Sequence, residues 1–381
     1  MTRIYLDHAA TTAARPEVVE AMVPLLGGYN PNSLHAEGRA ARAAVDDARE
    51  AVARVLGATP REIVFTGGGS ESIALALIGG ARAASERGRH VVTVATEHHA
   101  VLHAVDVLER DGWRVTRLPV DARGLVDPAA FSDALTDETT LASVMLANNE
   151  IGVVQPVAEL ARIARERGVL LHTDAIQAPG WLPLDVDGLG VGLLSLSGHK
   201  FHGPQGVGVL YVRRGTAVEP LIVGGGQEHG LRAGTENVAG IAGFAVGLTL
   251  ADAERPVTAP RIAALRDRLE SGIVATVPDA VVNGAGAPRL ANNLSVAFAG
   301  VPSDALLIRL DLDGIAASAG SACAAGSLEP SHVAAALGLD ERHRRGVIRF
   351  SLGRDTTPSQ IDDVLSRLPT LLASVGKPLV V

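Results

Sequence analysis

Leu141-Ala142-Ser143-Val144-Met145-Leu146-Ala147 runs into Asn148-Asn149-Glu150. A helical pattern from Val157 to Arg167, closed by Gly168, leads to Val169-Leu170-Leu171-His172-Thr173 and Asp174. Two nearly continuous apolar runs joined through a helix, each stopping at a polar residue, decide the fold. Strands buried on both faces lack the alternation of a half-exposed sheet, and a helical crossover places them parallel.

The same unit repeats outward in both directions. On the N-terminal side, His90 to Ala95 is a strand ending in Thr96-Glu97-His98-His99, followed by a helix from Ala100 to Arg110. A strand from Arg114 to Pro119 and a helix from Asp127 to Leu135 come next. Further back, two amphipathic helices are expected over Glu17–Leu26 and Ala40–Leu56, separated by the turn-rich loop from Gly27 to His35. On the C-terminal side, Val191 to Leu194 ends a strand that enters Ser195-Leu196-Ser197-Gly198-His199-Lys200, and Gly206 to Val212 forms another. The regular alternation predicts an α/β fold around a mostly parallel sheet, with ligands beyond the carboxyl ends of its strands. His98, Asn149, Asp174, Ser197, His199 and Lys200 all fall at such ends.

A charged, proline-bearing stretch from Glu254 to Pro260 reads as a boundary. Beyond it a long amphipathic helix and strands near Ala291–Phe298 and Val347–Ser351 predict a smaller α+β unit. The chain has 381 residues, enough for two domains, and a formal net charge of −8 that argues against nucleic acid or an anionic membrane as partner. Its start carries no secretory pattern and its longest apolar stretch, about Val238 to Leu250, falls short of the ~20 residues of a membrane span. A cytoplasmic location is expected.

Several residues carry chemistry. Lys200 is one of only two lysines, the other being Lys377, among 34 basic residues. Position alone admits a snorkelling lysine or one that loses its proton and forms an imine, which arginine cannot do. Ile63-Val64-Phe65 leads into Thr66-Gly67-Gly68-Gly69-Ser70-Glu71-Ser72 and a helix, the arrangement of an anion site, although three glycines also make a plain turn. The pattern matches neither a P-loop nor a dinucleotide fingerprint. Cys323, the one cysteine, stands in a run of small residues from Ala317 to Ser327, where a reactive thiol explains it better than core packing. Arg349 in an apolar strand needs a carboxylate partner, from protein or substrate. His99 and His103 lie four apart with no third ligand in view, so no metal site is expected. The long polar loop from Gly224 to Thr235 reads as functional or interfacial. An imine-forming lysine, a strand-end carboxylate and an anion cradle on one rim are what pyridoxal 5'-phosphate requires.

These motifs resemble the bacterial cysteine desulfurases, the NifS/IscS group of class V aminotransferases, over nearly the whole chain. The likeness rests on Tyr5-Leu6-Asp7-His8-Ala9-Ala10-Thr11-Thr12, the glycine-rich turn, Asn148-Asn149-Glu150-Ile151-Gly152, Asp174-Ala175-Ile176-Gln177, Ser197-Gly198-His199-Lys200, Ser321-Ala322-Cys323 and Arg349-Phe350-Ser351-Leu352-Gly353-Arg354. The resemblance implies a fold type I enzyme: a large domain, 15–257, with a seven-stranded sheet, and a small α+β domain from 1–14 and 258–381. It implies that Lys200 carries the cofactor, Asp174 pairs with its ring nitrogen, Gln177 bonds its ring hydroxyl and His98 stacks on the ring and moves protons. Gly69, Ser70, Ser197 and His199 would hold the phosphate, and Thr235 would reach in from the second subunit of a homodimer. Asn149, counted also among the cofactor contacts, and Arg349 would bind the substrate carboxylate. L-cysteine would lose its sulfur to Cys323 as a persulfide, leaving alanine, and an acceptor protein such as an iron–sulfur scaffold would take the sulfur. Ser70 replaces a more usual threonine, keeping the hydroxyl, and Ala324-Ala325 replace Thr-Ser. A longer tail by which some relatives dock a scaffold is not seen, which leaves the acceptor open. The alternatives are a selenocysteine or other C–S lyase of the same fold, and a non-catalytic partner.

Overall fold

The structure, a computed structural model, describes residues 3–320 and 331–375. Strands are numbered in chain order: β1 Ile4–Tyr5, β2 Ile63–Thr66, β3 His90–Val94, β4 Arg114–Leu118, β5 Thr139–Ser143, β6 Leu170–Asp174, β7 Leu193–Ser197, β8 Gly208–Val212, β9 Val281–Val282, β10 Asn293–Ala297, β11 Ile315–Ala316 and β12 Val347–Ser351. The central sheet has seven strands in the order β2-β8-β7-β6-β5-β3-β4. All run parallel except β8, which pairs antiparallel with both β7 and β2. The link from Ser197 to Gly208 contains only a one-turn 3-10 helix, Gly198–Lys200, and is too short for a crossover, so β8 must turn back. Every residue of β3, β5, β7 and β8 is buried, as their apolar runs predict.

β5 ends at Ser143, four residues before the expected Ala147. The chain nevertheless stays extended against β6: Val144 N–H donates to His172 O and Leu146 N–H to Asp174 O. Helix Ala36–Leu56 closes on Gly57 at φ 67, whose N–H bonds Ala53 O, and Val157–Glu166 is followed by Gly168 at φ 63. Both are left-handed positions that a glycine adopts without strain.

A second core gathers Leu6, Leu269, Leu294, Ile348, Phe350 and Ile361 around β10, β12 and helix Pro358–Val375. β1 pairs in parallel with β11 beside it, so the first residues of the chain pack with the last third. The stretch at 254–260 is not a break. It lies inside one helix, Val238–Thr276, whose first turns pack in the sheet core and whose last turns, from Ile262, pack in the second core. Pro256 and Pro260 interrupt its hydrogen bonding without ending it.

Candidate active site

The carboxyl ends of the parallel strands open onto a cavity of about 240 Å³. Gly69, Ser70, His98, Asn149, Asp174, Gln177, Ser197, His199, Lys200 and Arg349 all line it. Strands of similar length, fixed in register, stop at one level, and that is why residues so far apart in sequence meet.

β6 delivers Asp174, 4% exposed, with Oδ1 accepting from Ile176 N–H at 2.9 Å. Burial pushes its carboxyl up to about 6, against the pull of that bond and of Lys200. A buried carboxylate at neutral pH asks for a cationic partner. β7 delivers Ser197 and then Lys200, whose Nζ donates to Ala9 O at 2.7 Å and Ala10 O at 2.8 Å. Gln177 Nε2 reaches the same Ala9 carbonyl at 3.0 Å.

After β2 the chain turns through Gly68 at φ 149 into the helix Gly69–Ala74. A Cβ on Gly69 would stand 2.4 Å from Ile176 Cδ1 and 3.2 Å from Ser197 Cβ, so glycine lets this helix start lie close against Ile176 and the end of β7 without displacing either. Its first N–H groups, with the hydroxyls of Ser70 and Ser197, make a cradle for an anion. Behind the cradle, Ser72 Oγ bonds Ser195 Oγ at 2.8 Å, His172 Nε2 bonds Ser195 Oγ at 3.0 Å, and Ser143 Oγ bonds His172 Nδ1 at 2.8 Å. That buried chain locks the helix to three strands.

His98 caps the helix His99–Arg110: its Nδ1 accepts from Ala100 N–H at 3.1 Å, which leaves the ring proton on Nε2. Burial, then the charge of Lys200, lowers it to about 4. His199 is lowered to about 4 by the same two causes and its Nδ1 meets Thr11 Oγ1. Arg349 is 1% exposed, and its carboxylate partner is Asp7 at 2.8 Å, with Nη1 on Asn149 O at 2.7 Å. Among the described residues its Nε has no hydrogen-bond partner.

Thr235 is exposed and does not line this chain's cavity. Cys323, with Ala324 and Ala325, lies outside the described residues. Sequence reasoning passed over Glu97, Asp7 and Glu150. Glu97 is wholly buried, its Oε1 accepts from Met145 N–H at 2.7 Å, and burial and the charge of Asp174 hold its carboxyl well above the usual range. Its place beside His98 at a strand end was the available signal. Among the described residues no group of three His, Cys, Asp or Glu is arranged to hold a metal, and no helix is long and apolar enough to cross a membrane.

The donor set fits pyridoxal 5'-phosphate: a lysine amine, a buried carboxylate wanting a cation and a glycine-lined anion cradle share one cavity. The model of the family described as aminotransferase class-V matches residues 4–364. The chain is 47% identical over 378 residues to a cysteine desulfurase IscS of Dictyoglomus turgidum, covering 98% of this chain and 96% of that one. It is 46% identical over 371 residues to a cysteine desulfurase IscS of Methanosarcina thermophila, covering 97% and 92%. A solved NifS-like protein superposes with a TM-score of 0.91 at 38% identity, over 98% of this chain and 100% of that one. Matched end to end in sequence and in fold, the chain belongs to the class V aminotransferase family, in its IscS/NifS cysteine desulfurase group.

Proposed function

We propose that this chain is a pyridoxal-phosphate-dependent cysteine desulfurase, which removes sulfur from L-cysteine and leaves L-alanine. The observation that carries the reading is the meeting of Lys200, Asp174 and the Gly69–Ser70 cradle in one cavity. The cofactor, when bound, supplies an electron sink that acidifies the substrate Cα–H.

Lys200 would hold the cofactor, and its free amine would be the base at Cα. The ammonium is half-buried and faces two carbonyls, and loss of its proton makes it a nucleophile or base. Asp174 would keep a proton on the ring nitrogen, and Gln177 would bond the ring hydroxyl. Gly69, Ser70, Ser197 and His199 take the phosphate. His98, neutral with its proton on Nε2, exchanges protons with the substrate thiol. The substrate carboxylate falls to Asn149 and to Arg349, whose Nε has a donor to give. The Cys323 thiolate attacks the substrate sulfur: an S–S bond forms, the C–S bond breaks, its electron pair returns to the substrate carbon, and protonation there gives alanine. The persulfide then passes to an acceptor, an iron–sulfur or other thio-cofactor assembly protein. Thr235, exposed here, serves the cavity of a second copy in a cytoplasmic homodimer.

The test compares alanine and sulfide produced from L-cysteine by the parent and by Cys323→Ala, each loaded with cofactor. The variant is expected to keep its yellow colour and lose turnover. Full multiple-turnover activity would overturn the persulfide step while leaving the cofactor assignment intact.

A further inference from the structure

A second cavity, of about 30 Å³, shares a wall with the first. Lys200 and Gln177 line both, and both reach the Ala9 carbonyl, Lys200 Nζ at 2.7 Å and Gln177 Nε2 at 3.0 Å. The small cavity is also lined by His8, Arg15, Glu254 and Asn292. Both Arg15 Nη atoms are held by Glu254, at 3.1 and 2.5 Å. Arg15 Nε stands 3.6 Å from Glu17 Oε2, beyond hydrogen-bond reach. Asn292 Nδ2 donates to Leu352 O at 3.4 Å. That leaves three buried polar atoms without a hydrogen-bond partner among the described residues: Arg15 Nε, Asn292 Oδ1 and His8 Nδ1. Arg15 is 5% exposed and Asn292 3%, so atoms left unpaired there are costly.

A donor, an acceptor and an imidazole nitrogen that serves as either thus belong to the walls of one small space. It has room for about two waters and too little for an amino acid. We infer that water bound in this cavity satisfies these atoms and carries the proton off the Lys200 ammonium, with His8 as the residue that positions it. The inference rests on the reading of Lys200 as the base at Cα. Held by the Ala9 and Ala10 carbonyls, the ammonium must give up a proton before it can act as that base. An Nζ–H bond breaks and an O–H bond forms on the first water, which passes one of its own protons to the next and so to solvent. A proton returning by the same path restores the ammonium. Burial, then the neighbouring His202, lowers His8 to about 4, so its ring stays neutral and orients water without taking the charge.

The experiment uses holoenzyme and L-alanine in heavy water, a probe that needs no sulfur chemistry. Absorbance titration gives its affinity, proton NMR gives the rate at which its Cα–H becomes Cα–D, and a crystal structure of the parent holoenzyme locates the water. Ala251 lines the cavity from helix Val238–Thr276, and Ala251→Val adds two methyl groups there. His8→Leu and Ala251→Val are each expected to slow exchange about tenfold, with alanine affinity within about twofold of the parent. His8→Asn, close to leucine in size but with an amide atom near the place of Nδ1, is expected to recover most of the rate. Ala251→Val decides alone where His8→Leu does not fold. Parent-like exchange in Ala251→Val, a loss of alanine affinity that accounts for the slowing, His8→Asn no faster than His8→Leu, or a crystal structure with no water bonded to His8 Nδ1 each overturns the inference. The two readings fail differently. A parent that binds L-alanine and leaves its Cα–H intact refutes Lys200 as the base and takes the inference with it, whereas exchange as fast in the variants as in the parent refutes the water path alone.

Discussion

Replacing Asp174 by asparagine should make the cofactor-free protein more stable. The Asp174 carboxyl is raised from 3.8 to about 6, with burial as the largest cause. A raised carboxyl means the folded chain holds this proton more tightly than the unfolded chain, so stability falls as pH rises from 3.8 to 6 and stays low above. The shift corresponds to about 3 kcal/mol against folding above pH 7, roughly half of that at pH 5 and little of it near pH 4. Asparagine removes the charge and keeps the oxygen that accepts from Ile176 N–H. Urea unfolding of the apoprotein should therefore show Asp174→Asn ahead by about 2–3 kcal/mol at pH 8, with the lead shrinking steadily toward pH 4. Glu97 does not work against the effect, because its carboxyl is raised in part by the Asp174 charge that the substitution removes. With cofactor present the order should reverse, since the parent alone offers a charge to a pyridinium nitrogen, and a cost in stability spent on a binding site is expected of such residues. An Asp174→Asn apoprotein no more stable than the parent at pH 8, or one whose lead does not change with pH, would refute the reasoning.

Two further outcomes concern folding. Glu228 accepts both arms of the Arg49 guanidinium at 2.8 Å and also Phe65 N–H, with both side chains buried, so Glu228→Ala should cost about 3–5 kcal/mol in urea unfolding by leaving Arg49 without its charge partner. A loss under about 1 kcal/mol would contradict that account. Acidification from pH 7 to 5 should lower the urea midpoint, because burial holds His8, His98 and His199 near 4 and His172 near 3. Between those values and 6.5 the unfolded chain binds protons that the folded one refuses, which costs about 2 kcal/mol for His172 alone at pH 5. Asp174, Glu97 and Glu150, all raised by burial, act in the opposite sense, while His90, also held near 4, adds to the four histidines, which outnumber them; an unchanged or higher midpoint at pH 5 would count against these burial assignments.

The sheet and most of the cavity were legible because both depend on short-range patterns. Apolar runs place β3, β5, β6 and β7, and the polar residue after each run is at the carboxyl end, where a parallel sheet collects its ligands. Lys200 and Asp174 needed nothing more. Contacts that cross the chain left no such trace. Asp7 meets Arg349 across 342 positions and Glu150 meets Ser331 across 181, and neither carboxylate differs in its own neighbourhood from a solvated one. β1 and β11 are two residues each, below the length at which alternation can be read. The boundary signal at Glu254–Pro260 marks a real change of packing partner, yet prolines four residues apart on an exposed helix face remove donors without steering the backbone away. The helix continues, and composition alone could not tell a bridge from a linker.

The N-terminal segment explains why the cavity is shared between the sheet and the second core. Thr12 N–H and Oγ1 both bond His199 O, at 2.9 and 2.8 Å, and His202 N–H donates to Thr12 Oγ1 at 2.7 Å. Ala9 and Ala10 supply the two carbonyls that face Lys200, while Asp7 holds Arg349 and bridges to Ser351 of β12. Six consecutive residues thus set the ammonium on one side and the guanidinium on the other. Two carbonyl dipoles stabilise the protonated amine and leave no acceptor demand for the neutral one. When Lys200 gives up its proton or bonds elsewhere, Ala9 O keeps Gln177 Nε2 as a donor. The neutral amine keeps two N–H groups for Ala9 O and Ala10 O, so the segment can hold the lysine in either protonation state. A site whose charged groups are held by backbone from another core can thereby exchange one lysine state for another without disturbing the strands that carry Asp174 and Ser197.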